Sequence, residues 1–318
     1  MGSKLSGLEL LALRSFVHHG YEVSLYAYDP MLNVPDGVVL RDASSIMNES
    51  SVFTVRGSYA LFADVFRYRL LSSVDTVWID TDCICLGPSF PTNEYFFAYD
   101  VYDNHHEVTN NVLRYPATSD LAELLVNESS GMDVVGLYER EPNTPWGITG
   151  PQLLTRLVDE LGIRGMTRAH WVTNPLSFRD VRLFFDSSKL PNFVRLVERS
   201  HIAHCSNVFV TLRDEGVGLD KNNFPEFSAL WHLNKSYLRT KSSRLVINTG
   251  KSLDDCSFTE FCHEHDLRTF SSIGLKGASF DDWFSFERAI NFIDAVGVNH
   301  FRQFETNIYD NFGDSLFM

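Results

Sequence analysis

Hydrophobic and polar positions alternate with two different periods up to about Arg239. Ser6-Gly7-Leu8-Glu9 has the form of a capping box, in which the serine hydroxyl and the later carboxylate each satisfy a free helix N–H. Leu8, Leu11 and Ser15/Phe16 follow at helical spacing, so a helix starts after Ser6, and Gly20 is its expected stop. Residues 22–28 alternate as a strand does and end at Asp29-Pro30; residues 38–40 form a second short strand. The stretch 58–71 reads as a helix with Tyr59, Phe62, Phe66 and Leu70 as its apolar stripe. Strands are expected at 74–79, which reads as buried, and at 95–99. Helices are expected at 121–126, 151–161, 192–199 and 226–238. Strand and helix in alternation argue an α/β fold. After Arg239 the texture changes: Lys241-Ser242-Ser243 reads as a linker, followed by a strand at 245–247 and helices near 258–265 and 284–295. The expected organisation is a main domain over 1–240 and a C-terminal extension over 241–318, α/β or helical, with no assigned role.

Composition sharpens the picture by exclusion. Of 318 residues 44% are hydrophobic and 21% charged, enough for a sizeable core. Lys and Arg total 27 against 41 Asp and Glu, a net charge of −14. Such a balance does not read as a nucleic-acid binder, which needs a basic stripe for the phosphates. It also lacks the basic excess that holds proteins on anionic membranes. No apolar run approaches the ~20 residues of a membrane span, and the first residues lack a charged-then-apolar leader. The expectation is a soluble, intracellular chain. Five cysteines, Cys83, Cys85, Cys205, Cys256 and Cys262, are too loosely spaced for a disulfide framework. Cys256, Cys262, His263 and His265 lie close together but match no standard zinc spacing, and read as a helix carrying buried Cys and surface His. Asn48, Asn127 and Asn234 open Asn-x-Ser triplets, which mean little without a leader.

The candidate chemistry begins at Trp78-Ile79-Asp80-Thr81-Asp82-Cys83-Ile84-Cys85-Leu86, where a hydrophobic strand runs into Asp-x-Asp. Ligands of open α/β sheets gather at strand ends. Two carboxylates on a turn there can hold a hard divalent cation, and such a cation can neutralise a departing diphosphate. The plainer reading is a solvated turn. In the preceding helix Asp64 and Arg67 are spaced i, i+3 and share a face displaced from the apolar stripe. An Asp that accepts sugar hydroxyls beside an Arg that holds phosphate suits a nucleotide-sugar site; the plainer reading is a surface ion pair.

These motifs in order carry a resemblance. Ser58-Tyr59-Ala60-Leu61-Phe62-Ala63-Asp64-Val65-Phe66-Arg67-Tyr68, followed by Trp78-Ile79-Asp80-Thr81-Asp82, resembles the signature of DXD-type glycosyltransferases, specifically glycosyltransferase family 32, and more distantly the large glucosylating bacterial toxins. Residues 5–9 and 15–26 resemble the family's opening helix and second strand. Asn110-Asn111-Val112-Leu113, Trp146-Gly147-Ile148-Thr149-Gly150-Pro151 and His204-Cys205-Ser206-Asn207 resemble later motifs. The match spans about residues 5–240. It implies a glycosyltransferase-A-like fold, a Rossmann-like mixed sheet flanked by helices. It also implies a UDP- or GDP-sugar donor, a divalent cation (Mn2+ or Mg2+) and retention of anomeric configuration. By the same resemblance Asp80 contacts the donor and the metal, and Asp82 is the firmer metal ligand. Asp64 and Arg67 hold the transferred sugar and the diphosphate. His204 or Asn207 completes the metal shell, Asn110 faces the reacting sugar, and the loop with Trp146 and Gly150 lines the donor and shapes the acceptor side. The acceptor is then a glycan or glycolipid of capsular or exopolysaccharide synthesis. The setting is cytoplasmic, at the inner face of the membrane with a polysaccharide-assembly complex.

One departure stands out: family members open with a strand ending in a Trp-Ile-Gly-like motif, and here only Met1-Gly2-Ser3-Lys4 precedes the helix. At the other end Asn311-Phe312-Gly313-Asp314-Ser315 faintly resembles the opening of polysaccharide pyruvyl transferases. Two other functions compete. A strand into Asp-x-Asp also opens haloacid-dehalogenase-type phosphatases, in which the first Asp attacks phosphorus. That motif wants Thr or Val where Ile84 stands, and its downstream carboxylates would be Asp281-Asp282. The third reading is a non-catalytic module that binds sugar nucleotides or glycans.

Overall fold

The computed structural model describes residues 3–87, 93–102, 105–177, 180–205 and 220–238. The predicted strand at 245–247 and helices near 258–265 and 284–295 therefore lie outside the described residues, as do Asn207 and the cysteines and histidines of 256–265. The chain divides into two units, Met1–Phe224 and Pro225–Met318. Within the second, the described part carries a helix, Ala229–Leu238.

The first unit opens with α1 (Gly7–His18), and its N-terminus accounts for every free N–H. Glu9 Oε2 accepts from the Ser6 N–H at 2.6 Å, and Ser6 Oγ from the Glu9 N–H at 3.5 Å, completing the predicted capping box. The Gly7 N–H bonds Asn222 Oδ1 at 3.0 Å and the Leu8 N–H bonds the Lys221 carbonyl at 3.0 Å, so a segment far along the chain closes the same helix end. A Cβ on Gly7 would stand 2.7 Å from that carbonyl, which is why glycine fits there. The other end is a Schellman motif. Gly20 takes φ +87°, its N–H reaches the Val17 carbonyl at 3.0 Å, and the Tyr21 N–H reaches the Phe16 carbonyl at 3.1 Å.

Strand β1 (Val23–Ala27) pairs in parallel with β2 (Val38–Asp42). Helix α2 (Ala60–Leu71) leads to β3 (Trp78–Ile79) and, after a turn, to β4 (Cys83–Cys85). Strands β5 (Tyr99–Tyr102), β6 (His105–Val108) and β7 (Val112–Leu113) follow. Then come helices α3 (Asp120–Gly131), α4 (Val134–Arg140), α5 (Pro151–Glu160) and α6 (Leu190–Val197), and β8 (Ile202–His204). Among the described residues the remaining pairings, β3 with β7, β4 with β8 and β5 with β6, are antiparallel. The architecture is mixed α/β, with parallel and antiparallel ladders together.

Several boundaries differ from the periodicity. The strand expected at 95–99 is two isolated bridges, Phe96 to Arg114 and Ala98 to Arg168, with continuous pairing beginning only at Tyr99. The expected buried strand at 74–79 is two residues long and half-buried, because Val74 still closes α2 by bonding the Leu70 carbonyl. Helix α2 has no single apolar face. Leu61, Phe62, Val65, Phe66, Tyr68, Leu70 and Leu71 are buried all round it, whereas Tyr59, expected in the stripe, is exposed. On one side Phe62 and Phe66 meet Tyr26, Tyr28, Phe53 and Trp78; on another Tyr68 and Leu71 meet Leu113, Leu121, Leu125 and Leu154. Ser15, wholly buried in α1, accepts the Cys85 N–H at 2.8 Å and so pins α1 to β4. Among the described residues no helix is long and apolar enough to cross a membrane.

The capping box yields a direct test. Ser6→Ala removes the hydroxyl from the Glu9 N–H and is expected to lower stability by about 1 kcal/mol, read as a fall in the urea midpoint at unchanged slope. An unchanged midpoint would show that Lys221 and Asn222 hold the helix end without it.

Candidate functional site

The site is built where α2 passes the turn between β3 and β4. Asp64, Arg67 and Tyr68 stand at i, i+3 and i+4 and share a helix face. That face points inward: Asp64 and Arg67 are only 6% and 4% exposed, so the solvent-facing pair expected from the stripe is instead interior. Each nitrogen of the Arg67 guanidinium has a partner. Nη2 lies 3.4 Å from Asp64 Oδ1 and 3.1 Å from Asp80 Oδ1, Nη1 donates to the Asn110 carbonyl at 2.5 Å, and Nε donates to the Ala63 carbonyl at 3.3 Å. Its plane lies over the Trp78 ring, 5.0 Å from the centroid, where the cation meets the negative face of the indole.

Asp64 is held from every side. Oδ1 accepts from Asn110 Nδ2 at 2.8 Å and Oδ2 from Thr149 Oγ1 at 2.9 Å. Asn110 Nδ2 also reaches the Tyr68 hydroxyl at 3.2 Å, and that hydroxyl donates to the Thr149 carbonyl at 2.9 Å. Gly150 presses on the same cluster: a Cβ there would stand 2.7 Å from Asp64 Oδ2 and 3.1 Å from Asn110 Nδ2. Burial pushes the Asp64 carboxyl up, and Arg67, Thr149 and Asn110 only partly offset it.

Asp80 and Asp82 occupy a tight turn in which the Cys83 N–H bonds the Asp80 carbonyl at 3.0 Å. Asp80 N–H bonds the Asn111 carbonyl at 2.8 Å, which extends the β3–β7 ladder by one residue and brings Asn110 to Arg67. Asp80 Oδ1 also accepts from Trp78 Nε1 at 2.6 Å. Burial raises the Asp80 carboxyl; Arg67 opposes this and the neighbouring Asp82 adds to it. Asp82 faces the other way, with Oδ1 3.3 Å from His204 Nε2 and about a third of its side chain open to solvent. Burial works against its charge, but the attraction and hydrogen bond of His204 outweigh it and hold the carboxyl low. Burial likewise works against the His204 imidazolium, and Asp82 and then Asp80 raise it. Cys83 lies beside them, wholly buried, its thiol pushed well up by burial and the two carboxylates.

The structure thus brings Asp64, Arg67, Asp80, Asn110 and Gly150 into one hydrogen-bonded cluster and sets Asp82 and His204 side by side at its rim. The Trp146 ring packs against Tyr138, edge-on at 6.2 Å between centroids. Trp146 is 40% exposed on the loop before α5. Tyr68, Thr149, Trp78, Asn111 and Cys83 also belong to the site, although their spacing assigned them no role. The i, i+4 relation of Tyr68 to Asp64 was the one available signal.

Among solved structures the chain is similar to one titled "PaToxG Glycosyltransferase". The TM-score is 0.34 and the identity 12%, over 74% of this chain and 79% of that one. No family model and no curated protein matches the chain. The side chains themselves carry the functional reading.

Two consequences are measurable. Arg67→Ala leaves buried carboxylate without its counter-charge and is expected to cost about 3–5 kcal/mol of stability, read by urea unfolding; a loss below about 1 kcal/mol, the worth of a surface pair, would show that the guanidinium does not organise the cluster. Asp64 has a raised folded-state pKa, so the stability it adds is present below the ordinary aspartate range and is lost as pH rises through the folded value. Asp64→Asn should therefore gain stability relative to the wild type as pH rises above the ordinary aspartate range of about 4. Parallel stability curves for the two proteins would show that Asp64 does not titrate in this way.

Proposed function

We propose that the chain is a metal-dependent, retaining glycosyltransferase that moves a hexose from a nucleoside diphosphate sugar to a hydroxyl of a glycan or glycolipid. The single observation that supports this most is the juxtaposition of two unlike carboxylate environments. Asp64 and Asp80 are clamped by Arg67, while Asp82 and His204 are presented at an open rim.

The donor set at the rim fits a divalent cation. Asp82 offers a partly accessible carboxylate and His204 an imidazole nitrogen. Asp80, two residues earlier, has its Oδ1 engaged by Arg67 and Trp78. Asp82 and His204 would hold the metal, with Asp80 behind them. When bound, the cation supplies charge to the departing diphosphate.

The chain's own groups do the rest. Asp64, fixed by Asn110 and Thr149, is an acceptor for sugar hydroxyls, and its rigidity means that it costs no reorganisation on binding. Arg67 opposes the effect of burial on Asp64 and Asp80 and keeps both carboxyls aimed. Gly150 lets the loop before α5 approach Asp64 closely. Trp146 on that loop offers an exposed ring to the apolar face of a sugar. Both oxygens of Asp64 already accept hydrogen bonds from Asn110 and Thr149, which blunts it as a nucleophile, so same-face attack assisted by the leaving group fits better than double displacement. The phosphatase alternative needs Asp80 as a nucleophile, and two donors on Oδ1 blunt that role.

In this reading residues 1–240 form a glycosyltransferase-A-like domain of the family 32 type, and 241–318 is an extension of separate role. The setting proposed with it is capsular or exopolysaccharide synthesis at the inner membrane face.

The experiment is a screen of UDP- and GDP-sugars with and without Mn2+, following nucleoside diphosphate release. A metal-dependent release by the wild type is expected, with Asp82→Ala about 100-fold slower or worse, as for loss of a principal transition-state stabiliser. Undiminished release by a folded Asp82→Ala protein would overturn the assignment of Asp82, and no release or binding of any donor would overturn the enzyme.

A further inference from the structure

One face of the β4–β8 ladder gathers three metal-ligating side chains of different chemistry. Cys83 stands opposite His204 in register. The Cys205 N–H bonds the Asp82 carbonyl at 3.0 Å, which makes Cys83 and His204 a non-hydrogen-bonded pair, the kind in which facing side chains approach most closely. Asp82, at the turn just before the strand, brings its carboxylate to the same imidazole at 3.3 Å. The ligating atoms of Asp82, Cys83 and His204 all lie within 4.8 Å of one another.

Asn111 adds an independent observation. It is 3% exposed, and its Nδ2 donates toward Cys83 Sγ at 3.5 Å and to Asn174 Oδ1 at 3.0 Å. Asn174 Nδ2 in turn donates to the Tyr99 carbonyl and to Thr109 and Thr173, which fixes the orientation of both amides. The sulfur therefore receives an N–H, an arrangement that supports charge on a ligating atom. Asn111 Oδ1 is buried beside it with no hydrogen-bond partner.

A mixed sulfur, nitrogen and oxygen set discriminates among cations. Mg2+ and Mn2+ favour oxygen donors, whereas thiolate with imidazole suits Zn2+ and Co2+. We propose that Asp82, Cys83 and His204 form a three-donor site for a borderline-soft divalent cation, Zn2+ or Co2+, in which Cys83 binds as the thiolate. On binding, the thiol proton leaves to solvent and the sulfur lone pair forms the bond to the metal. Neutral His204 binds through Nε2 in place of its contact with Asp82, and no redox change occurs. Three protein donors leave a fourth position open, as in catalytic zinc sites. Cys83 is wholly buried, so the ion enters from the side of Asp82 and His204, both of which reach solvent. The site needs only the ladder and its turn, so it stands apart from the glycosyl-transfer reading. Because it shares Asp82 and His204 with the centre assigned above, Zn2+ would compete there with Mn2+.

The test is a Co2+ titration of the metal-free full chain, followed by its near-ultraviolet thiolate-to-cobalt absorption and by displacement with Zn2+. The wild type should develop the band at one equivalent and lose it to Zn2+. Cys83→Ser should lack the band and bind Zn2+ at least about tenfold more weakly, the lower bound for residues that merely support a metal ligand. A Cys256→Ser/Cys262→Ser double variant should keep it. Absence of the band in the wild type, its persistence in a folded Cys83→Ser or its loss in the double variant would overturn the proposal; should Cys83→Ser not fold, unweakened Zn2+ binding by Asp82→Ala, altered at the solvent-reaching ligand, would overturn it instead. Mn2+-dependent donor turnover is read separately, so either idea can fail without the other.

Discussion

The arrangement depends on one buried cation. Arg67 is a helix residue with almost no solvent contact, and two carboxylates from different elements converge on its Nη2. A guanidinium can serve this role and an ammonium cannot do it equally, because the planar fork addresses several acceptors at fixed angles. One edge serves Asp64 and Asp80, another the Asn110 carbonyl, and the face rests on Trp78. Through these contacts α2, the β3–β4 turn and the segment before β7 become one body. Take the charge away and Asp64 is a carboxylate in the core with only two neutral donors, a state that proteins avoid by protonation or by unfolding. The burial of Arg67 is therefore a condition for the pre-set geometry of Asp64 and Asp80, and that geometry is the feature the functional reading rests on.

The two halves of the site differ in electrostatic character for the same reason. Asp64 and Asp80 are pushed toward protonation by burial, whereas Asp82 is held charged by His204. Carboxylates placed two residues apart in sequence thus do different work, because Asp80 turns inward to Arg67 and Asp82 turns outward to His204. This also refines the meaning of the net charge of −14. Most of that charge says nothing about the site. The part that does consists of three acids, of which two have their cation built in and the third faces the rim, where a cation from outside can reach it.

Local chemistry was the legible part of the sequence. Ser6 and Glu9 announce a helix start because both partners lie within one turn, and Gly20 announces its end because a left-handed residue there has few alternatives to glycine. The i, i+3 spacing of Asp64 and Arg67 and the Asp-x-Asp turn are equally local. What periodicity misread was which way α2 faces: a helix buried on all sides offers no polar face, and an ion pair within it looks like a surface pair until its third partner is known. Asp80 and Asn110 are that partner set, and both come from outside the helix. Ladders of two or three residues such as β3–β7 and β4–β8 are too short to leave a period-2 signature, and their partners are remote in the chain. The role proposed for Cys83 was invisible for that reason. Near it in sequence only the Asp-x-Asp and Cys85 offer metal-ligating side-chain types, and only the register with His204 puts an imidazole across from it.

That register has a wider consequence for how a carboxylate turn selects its ion. Asp-x-Asp alone presents oxygen, and oxygen sites separate cations chiefly by size and hydration. Setting the turn at the mouth of an antiparallel ladder makes the next strand residue, and the residue facing it, part of the same coordination volume. With Cys83 and His204 in those two places the volume contains sulfur and nitrogen as well. Selectivity then follows donor softness rather than size. The residue immediately after the second Asp, and the one opposite it on the partner strand, are consequently as informative about the metal as the two aspartates that draw attention first.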